Sequence, residues 1–124
     1  MSLLKSPLRY PGGKSRAIAQ IIRHISASFD EYREPFVGGG ALFVYLKQRN
    51  PSLKVWINDL NLELYYFWKH AQCDAPKLAD ALRKIKRERI DGRELFVEFT
   101  TVDVSELSEF ERAVRFFVLN RITF

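Results

Sequence analysis

The sequence predicts an α/β fold that contains half of an open parallel sheet, followed by a helical second half. A short extended stretch runs into three glycines, Gly38–Gly40, and a helix-like segment follows it. A second short strand then ends at Asn58 and Asp59. Strand, glycine-rich turn, helix and strand in this order are typical of parallel α/β sheets, whose ligands bind outside the carboxyl ends of the strands. We therefore expect the functional site at that edge.

Length and composition are those of one packed domain. The chain has 124 residues, of which 47% are hydrophobic and 28% charged. Because it has no apolar run of about 18 residues and no apolar signal-peptide core, we expect neither a membrane span nor export, and we expect a cytoplasmic protein. The net charge of +5 favours a polyanionic partner, although many proteins that bind none share such a charge.

The single cysteine and two histidines argue against metal and thiol chemistry. Cys73 has no partner for an internal disulfide, and His24 and His70 do not form a zinc-like spacing with it. We expect no metal site, and we interpret Cys73 as a small buried apolar residue near the end of a helix.

The first half alternates helices and strands. Ser15 can cap a first helix whose isoleucines recur at one-face spacing, at Ile18, Ile21, Ile22 and Ile25. The segment "EYREPFVGGG" predicts the first strand and its glycine turn, and "ALFVYLKQRN" predicts a helix that ends at Asn50 and Pro51. The segment "KVWINDL" predicts the second strand, and Asn61 can open the next helix.

The second half has helical periodicity without obvious strands. Leu78, Leu82 and Ile85 predict an amphipathic helix, whereas "GRELFVEF" fits a helix or a strand. The last segment opens with a capping box from Ser108 to Glu111, which predicts a helix to the end of the sequence. The basic run "RKIKRERI" fits a solvated helix face better than a DNA contact.

The opening stretch "PLRYPGGKSR" looks like the end of a phosphate-binding loop but does not meet its requirements. A P-loop needs an earlier glycine at the position of Leu8 and a buried strand before it, and both are missing. A tight turn at Gly12 and Gly13 is an equally good interpretation of this segment taken alone.

The glycine turn and the acid that follows are the other ligand signals. Gly38 and Gly40 form a GxG between strand and helix, but the third glycine of a dinucleotide fingerprint is replaced by Phe43, which disfavours a dehydrogenase. Asp59 can accept both hydroxyls of a ribose, or it can simply cap the next helix. Taken together, these features predict an adenosine-type ligand.

Four stretches occur in the order of one known family: "LRYPGGKSR", "EPFVGGGALF", "INDLN" and "FERAVRFFVLNRITF". The chain thereby resembles the amino-terminal part of Dam-type DNA adenine methyltransferases, which transfer a methyl group from S-adenosylmethionine to N6 of adenine in double-stranded DNA. The resemblance implies a partial Rossmann-like methyltransferase fold. Its cofactor-binding part would span residues 1–73, and residues 74–124 would be a helical segment leading into the DNA-recognition region.

The resemblance also implies roles for individual residues. Those expected at the cofactor S-adenosylmethionine are Tyr10, Lys14, Glu34, Pro35, Phe36, Gly38, Gly40 and Asp59, with Asp59 on the ribose. Those expected at DNA are Arg9, Asn120, Arg121 and Phe124, the last as an aromatic wedge between bases.

The family's catalytic motif, Asp-Pro-Pro-Tyr, is absent, because no two of the five prolines are adjacent. We assign no catalytic residue and expect no methylation by this chain alone. The chain would be either a truncated methyltransferase or one half of a split enzyme that a second chain completes. An open sheet edge would invite a second chain or copy. Two alternatives stay open: a small basic nucleic-acid-binding module without catalytic activity, and an adenosine-nucleotide-binding α/β protein.

Overall fold

The computed structural model describes residues 2–123, which form two compact units divided between Leu60 and Asn61. The first unit contains both strands, and the second contains helices only among its described residues. The prediction of a helical second half is confirmed for this part of the chain. The functional division between residues 73 and 74 stays a prediction.

The two strands are parallel, as the sequence predicts. Strand β1 spans Glu31–Glu34 and strand β2 spans Lys54–Ile57, and Tyr32 lies opposite Val55 in the register. Both strands therefore point their carboxyl ends at the same edge of the sheet. The described residues therefore form a mixed architecture of helices and strands with a small parallel sheet.

The predicted first helix is broken into three short pieces, so that prediction is wrong in detail. A 3₁₀ turn at Lys14–Arg16 precedes helix α1, Ile18–Ile21, and a second 3₁₀ turn follows at Ile22–His24. Ser15 does not cap a helix, because the chain enters α1 through the 3₁₀ turn and Ala17 occupies the cap position without a side-chain hydrogen bond.

Helix α2, Ala41–Arg49, connects the strands and ends at Asn50, as predicted. Its buried leucines, Leu42 and Leu46, pack with Leu53 to form the core of the first unit. Partly buried side chains surround this core: Ile21, Ile22, Ile25, Phe29, Tyr32, Tyr45 and Val55. The core fixes the position of α2 beside the sheet and therefore the start of α2 at the glycine turn.

The second unit contains helices α3, Leu62–Cys73; α4, Ala75–Glu88; α5, Gly92–Thr101; and α6, Glu109–Thr123. Asn61 caps α3 by accepting from two backbone amides, as predicted. The capping box is also confirmed, since Ser108 and Glu111 exchange hydrogen bonds. The ambiguous segment is helical and forms α5. Cys73 is exposed, so the prediction of a buried thiol is wrong, because it is the last residue of α3 and lies beyond that helix's buried positions.

The helical unit is held together by aromatic and ionic contacts between α3 and α6. Phe67 is buried and stacks on Phe117, with ring centroids 5.6 Å apart. Arg112 donates two hydrogen bonds to Glu63 and lies over the ring of Tyr66. None of the helices between residues 2 and 123 has the length and apolar character needed to cross a membrane.

Candidate functional site

The glycine turn lies at the carboxyl end of β1 and requires glycine at two positions. Gly38 and Gly40 have φ angles of +51° and +70°. Residues that carry a Cβ atom rarely adopt such angles, whereas glycine adopts them readily. Gly40 also forms the amino-terminal cap of α2, so the backbone turns from strand to helix within a few residues. Bare backbone therefore faces the edge where a ligand is expected.

Asp59 lies beside this turn. The Gly38 N–H donates a hydrogen bond of 3.0 Å to Asp59 Oδ2. The backbone continues the pairing beyond the strands, because Val37 N–H donates to Asn58 O at 2.9 Å. These contacts bring the predicted ribose ligand and the predicted glycine turn together, although Asp59 and Gly38 are separated by 21 residues.

The opening loop packs against the glycine turn. Pro11 and Gly12 are the central residues of a turn closed by a 3.0 Å hydrogen bond from Gly13 N–H to Tyr10 O, with φ of +69° at Gly12. Tyr10 lies against the glycines so closely that a Cβ on Gly38 would be 3.2 Å from its ring. The opening stretch is therefore a tight turn that packs against the strand–helix junction.

Lys14 and Glu34 form an ion pair at the end of β1. Lys14 Nζ donates to Glu34 Oε1 at 3.0 Å, and the side chains are 44% and 7% exposed. Within residues 2–123 the other carboxylate oxygen, Glu34 Oε2, is buried and has no hydrogen-bond partner. Tyr32 interacts electrostatically with this carboxylate. Burial, and then the charge of Glu34, raise the pKa of Tyr32 above the ordinary tyrosine range.

A cavity of about 210 Å³ lies between the opening loop and the glycine turn. It is lined by five of the predicted cofactor residues: Tyr10, Lys14, Phe36, Gly38 and Gly40. Glu34 and Asp59 are linked to this lining through Lys14 and Gly38, respectively. Pro35 lies between Glu34 and Phe36 and is exposed.

A larger cavity of about 620 Å³ lies elsewhere in the first unit. Its lining includes core side chains such as Ile25, Phe29 and Leu53, and it contains none of the predicted site residues. Size alone does not identify a site, whereas the lining of the smaller cavity combines glycine backbone, aromatic rings and Lys14, which is paired with Glu34. We therefore take the smaller cavity as the candidate site.

The predicted DNA residues occupy different environments. Arg9 is exposed in the opening loop, directly before Tyr10. In α6, Asn120 is 7% exposed and faces the interior, whereas the neighbouring Arg121 is exposed. Phe124 lies outside the described residues.

Sequence reasoning missed two residues that hold the opening loop. Ser6 donates to the carbonyl of Gly39, and the Gln48 side chain bonds to the main chain of Leu4. Ser6 precedes a proline, which is a weak turn signal. No local pattern indicates Gln48, because its partner is 44 residues away.

Comparison with known proteins gives one family match. The family described as D12 class N6 adenine-specific DNA methyltransferase matches residues 10–124. The chain is also similar to type II methyltransferase M.MjaIII of Methanocaldococcus jannaschii, with 32% identity over 117 residues. That alignment covers 90% of this chain and 37% of the relative.

Two further relatives show the same relationship. Type II methyltransferase M1.LlaDCHI of Lactococcus lactis subsp. cremoris is 29% identical over 120 residues, covering 94% of this chain and 40% of the relative. The DNA N-6-adenine-methyltransferase of Escherichia phage P1 is 28% identical over 120 residues, an alignment that covers 97% of this chain and 15% of the relative. The chain thus spans well under half the length of each of these relatives.

Proposed function

Because this chain belongs to the D12 class N6 adenine-specific DNA methyltransferase family, we propose that its cavity binds S-adenosylmethionine, the methyl donor for adenine N6 in double-stranded DNA. One observation carries the proposal: the Gly38 N–H donates to Asp59 Oδ2 at 3.0 Å, at the carboxyl ends of two parallel strands. This is the edge at which α/β sheets bind nucleoside ligands.

The residues around the cavity fit the chemistry of this donor. A volume of about 210 Å³ is below the roughly 300–1,000 Å³ of whole-ligand pockets, so the cavity suits one end of an elongated molecule. Lys14 and Glu34 form a charge pair that complements an amino acid end, since Lys14 can bind its carboxylate and Glu34 its ammonium group. The Gly38–Gly40 backbone lets that end approach closely.

Asp59 would hold the ribose. A carboxylate has about four acceptor sites, so accepting the Gly38 N–H is compatible with also accepting from ribose hydroxyls. Tyr10 and Phe36 would supply apolar walls, and Pro35 would fix the chain between Glu34 and Phe36. When bound, the donor supplies an electrophilic methyl group, and the residues named here bind and orient it.

We further propose that residues 1–73 are the cofactor-binding part of a Rossmann-like domain, and that residues 74–124 lead into a DNA-recognition region. Among residues 2–123 the parallel sheet has two strands and no further strand at either edge, and a second chain or copy could pair there. Arg9 and Arg121 would contact DNA, the buried Asn120 would support that segment, and Phe124 would act at the target base.

Methyl transfer by this chain alone is not expected. The sequence contains no Asp-Pro-Pro-Tyr motif, so it has no identified acceptor for the adenine amino group. Without an acceptor, the amino nitrogen is neither aligned with the methyl carbon nor stabilised electrostatically. Incubation with DNA and S-adenosylmethionine should therefore give no N6-methyladenine by mass spectrometry, and detectable product would refute this part of the proposal.

The proposal is tested by thermal unfolding with S-adenosylmethionine, in the wild type and in Asp59→Ala. A ligand at 100 times its Kd stabilises a protein by about 2.7 kcal/mol, which raises the melting temperature by several degrees in a domain of this size. We expect this shift in the wild type and a much smaller one in the variant. Stabilisation by ATP or NAD instead of the methyl donor would indicate an adenosine-nucleotide-binding protein. DNA binding that is indifferent to the donor would indicate a simple nucleic-acid-binding module.

A further inference from the structure

The opening segment is fastened to α2 by one glutamine side chain. Gln48 Nε2 donates to Leu4 O at 2.8 Å, and Leu4 N–H donates to Gln48 Oε1 at 2.7 Å. Gln48 Nε2 also donates to Val44 O within α2 at 3.1 Å, which holds the amide in place. The glutamine therefore pairs with both backbone groups of Leu4, much as a neighbouring strand would.

Ser6 provides a second attachment, nearer to the cavity. Its hydroxyl donates to the carbonyl of Gly39 and accepts a 3.2 Å hydrogen bond from Leu8 N–H. Leu8 is only 7% exposed, so the segment is held by a buried apolar side chain as well as by hydrogen bonds. Both attachments lie within residues 2–13, a stretch that contains no helix or strand.

Tyr10, at the end of this segment, packs against the glycine turn. A Cβ on Gly39 would be 2.9 Å from Tyr10 Cβ, and one on Gly38 would be 3.2 Å from Tyr10 Cε1. Tyr10 lines the candidate cavity, whereas Ser6 and Gln48 are not among its lining residues. Side chains outside the cavity lining thus hold the segment that carries Tyr10.

We propose that Gln48 and Ser6 are positioning residues that hold Tyr10 over the glycine turn and so control how long a ligand is retained. Gln48 acts from the surface of α2 through the main chain of Leu4, and Ser6 acts through the carbonyl of Gly39. The opening segment is then a strap: the side chains of Ser6 and Gln48 fasten it and do not line the cavity, although Ser6 bonds to the backbone of the lining residue Gly39. The identity of that ligand rests on the proposed function, but the attachment itself does not.

Limited trypsin digestion tests the attachment without any ligand. The Arg9–Tyr10 bond lies in the strap, and cleavage there requires local opening. Gln48→Ala removes two ordinary hydrogen bonds to Leu4, so we expect cleavage after Arg9, identified by mass spectrometry, to be roughly tenfold faster. Gln72→Ala, the same change at an exposed position of α3, is the matched control and should leave that rate unchanged. Equal rates in the wild type and both variants would overturn the proposal.

Ser6→Ala is the second variant, and it should also accelerate cleavage after Arg9. Melting temperatures of all variants identify any general unfolding, which would speed cleavage at sites throughout the chain. If the strap alone is loosened, the increase is confined to sites such as Lys5 and Arg9. A uniform increase at all sites in both variants would contradict a positioning role.

Ligand kinetics test the consequence for the cavity. In stopped-flow measurements with S-adenosylmethionine, Gln48→Ala should increase the dissociation rate by several fold, with a smaller effect on association. In a Tyr10→Ala background the same substitution should have little further effect, because its action passes through Tyr10. Equal effects in both backgrounds would contradict this route. If the wild type binds no S-adenosylmethionine, the proposed function fails, while the digestion result still decides the attachment.

Discussion

The backbone amide of Gly38 donates a 3.0 Å hydrogen bond to Oδ2 of Asp59, which joins the turn after β1 to the residue that follows β2. This contact makes the carboxylate part of the turn's structure as well as a candidate ligand group. The proposed function therefore couples stability and ligand binding at Asp59, and different substitutions can separate the two.

Asp59→Ala and Asp59→Asn should differ in stability but not in ligand binding. Alanine removes the acceptor of the Gly38 N–H and should lower the free energy of unfolding by about 1–2 kcal/mol, whereas asparagine keeps an acceptor oxygen and should cost less. Both variants lose the charge that we propose holds the ribose, so both should bind S-adenosylmethionine at least tenfold more weakly. Urea unfolding and ligand titration measure the two effects, and normal binding by Asp59→Asn would contradict the charge-based role.

Gly38→Ala should be more harmful than Gly12→Ala. Both glycines have positive φ angles, so alanine at either position costs about 1–2 kcal/mol from backbone strain. At Gly12 nothing lies within 4 Å of an added Cβ, but at Gly38 it would meet the ring of Tyr10 at 3.2 Å. We expect Gly38→Ala to cost roughly 1 kcal/mol more by urea unfolding and to change tyrosine fluorescence. Equal costs would mean that Tyr10 does not pack on the turn.

Lys14→Met should destabilise the protein by leaving Glu34 buried without its cation. Because Lys14 is partly exposed, we expect a loss of about 1–3 kcal/mol in the free energy of unfolding, less than for a fully buried pair. Adding Glu34→Gln should recover part of this loss, since no buried charge then remains. A double-mutant cycle measures the coupling, and additive effects would show that the pair contributes nothing.

Acid should weaken the helical unit through the capping box of α6. Hydrogen bonds from Ser108, first from its backbone N–H and then from its side chain, hold the pKa of Glu111 below its usual range. A carboxyl whose pKa is lower in the folded state contributes stability above its unfolded pKa, and this contribution is lost as the pH falls through the folded value. We expect the melting temperature to fall between about pH 5 and pH 3, and Glu111→Gln should reduce that dependence. An unchanged pH profile in the variant would contradict this assignment.

Local sequence signals predicted the elements that depend on local physics. Asn61 and Ser108 cap helices because their side chains bond to backbone amides two or three residues away. The strands and the glycine turn followed from β-forming residues and from the need for positive φ at Gly38 and Gly40. These features require no knowledge of distant parts of the chain.

Contacts across the fold could not be predicted in the same way. The pairing of Gln48 with Leu4 joins residues 44 positions apart, and neither residue type indicates the other. The periodic isoleucines do not encode the 3₁₀ turns before and after α1, at Lys14–Arg16 and Ile22–His24. The ion pair of Lys14 with Glu34 could not be predicted from local pattern either, because the two residues are 20 positions apart and meet only when the opening loop folds against the end of β1.

Isothermal titration calorimetry measures whether the cavity at the glycine turn binds the methyl donor, as we propose. S-adenosylmethionine, ATP and NAD are titrated separately into the wild-type chain under identical conditions. We predict saturable binding of one S-adenosylmethionine per chain and no comparable binding of the two nucleotides. Binding of ATP or NAD with no heat from S-adenosylmethionine would show that the methyl donor is not the ligand of this chain.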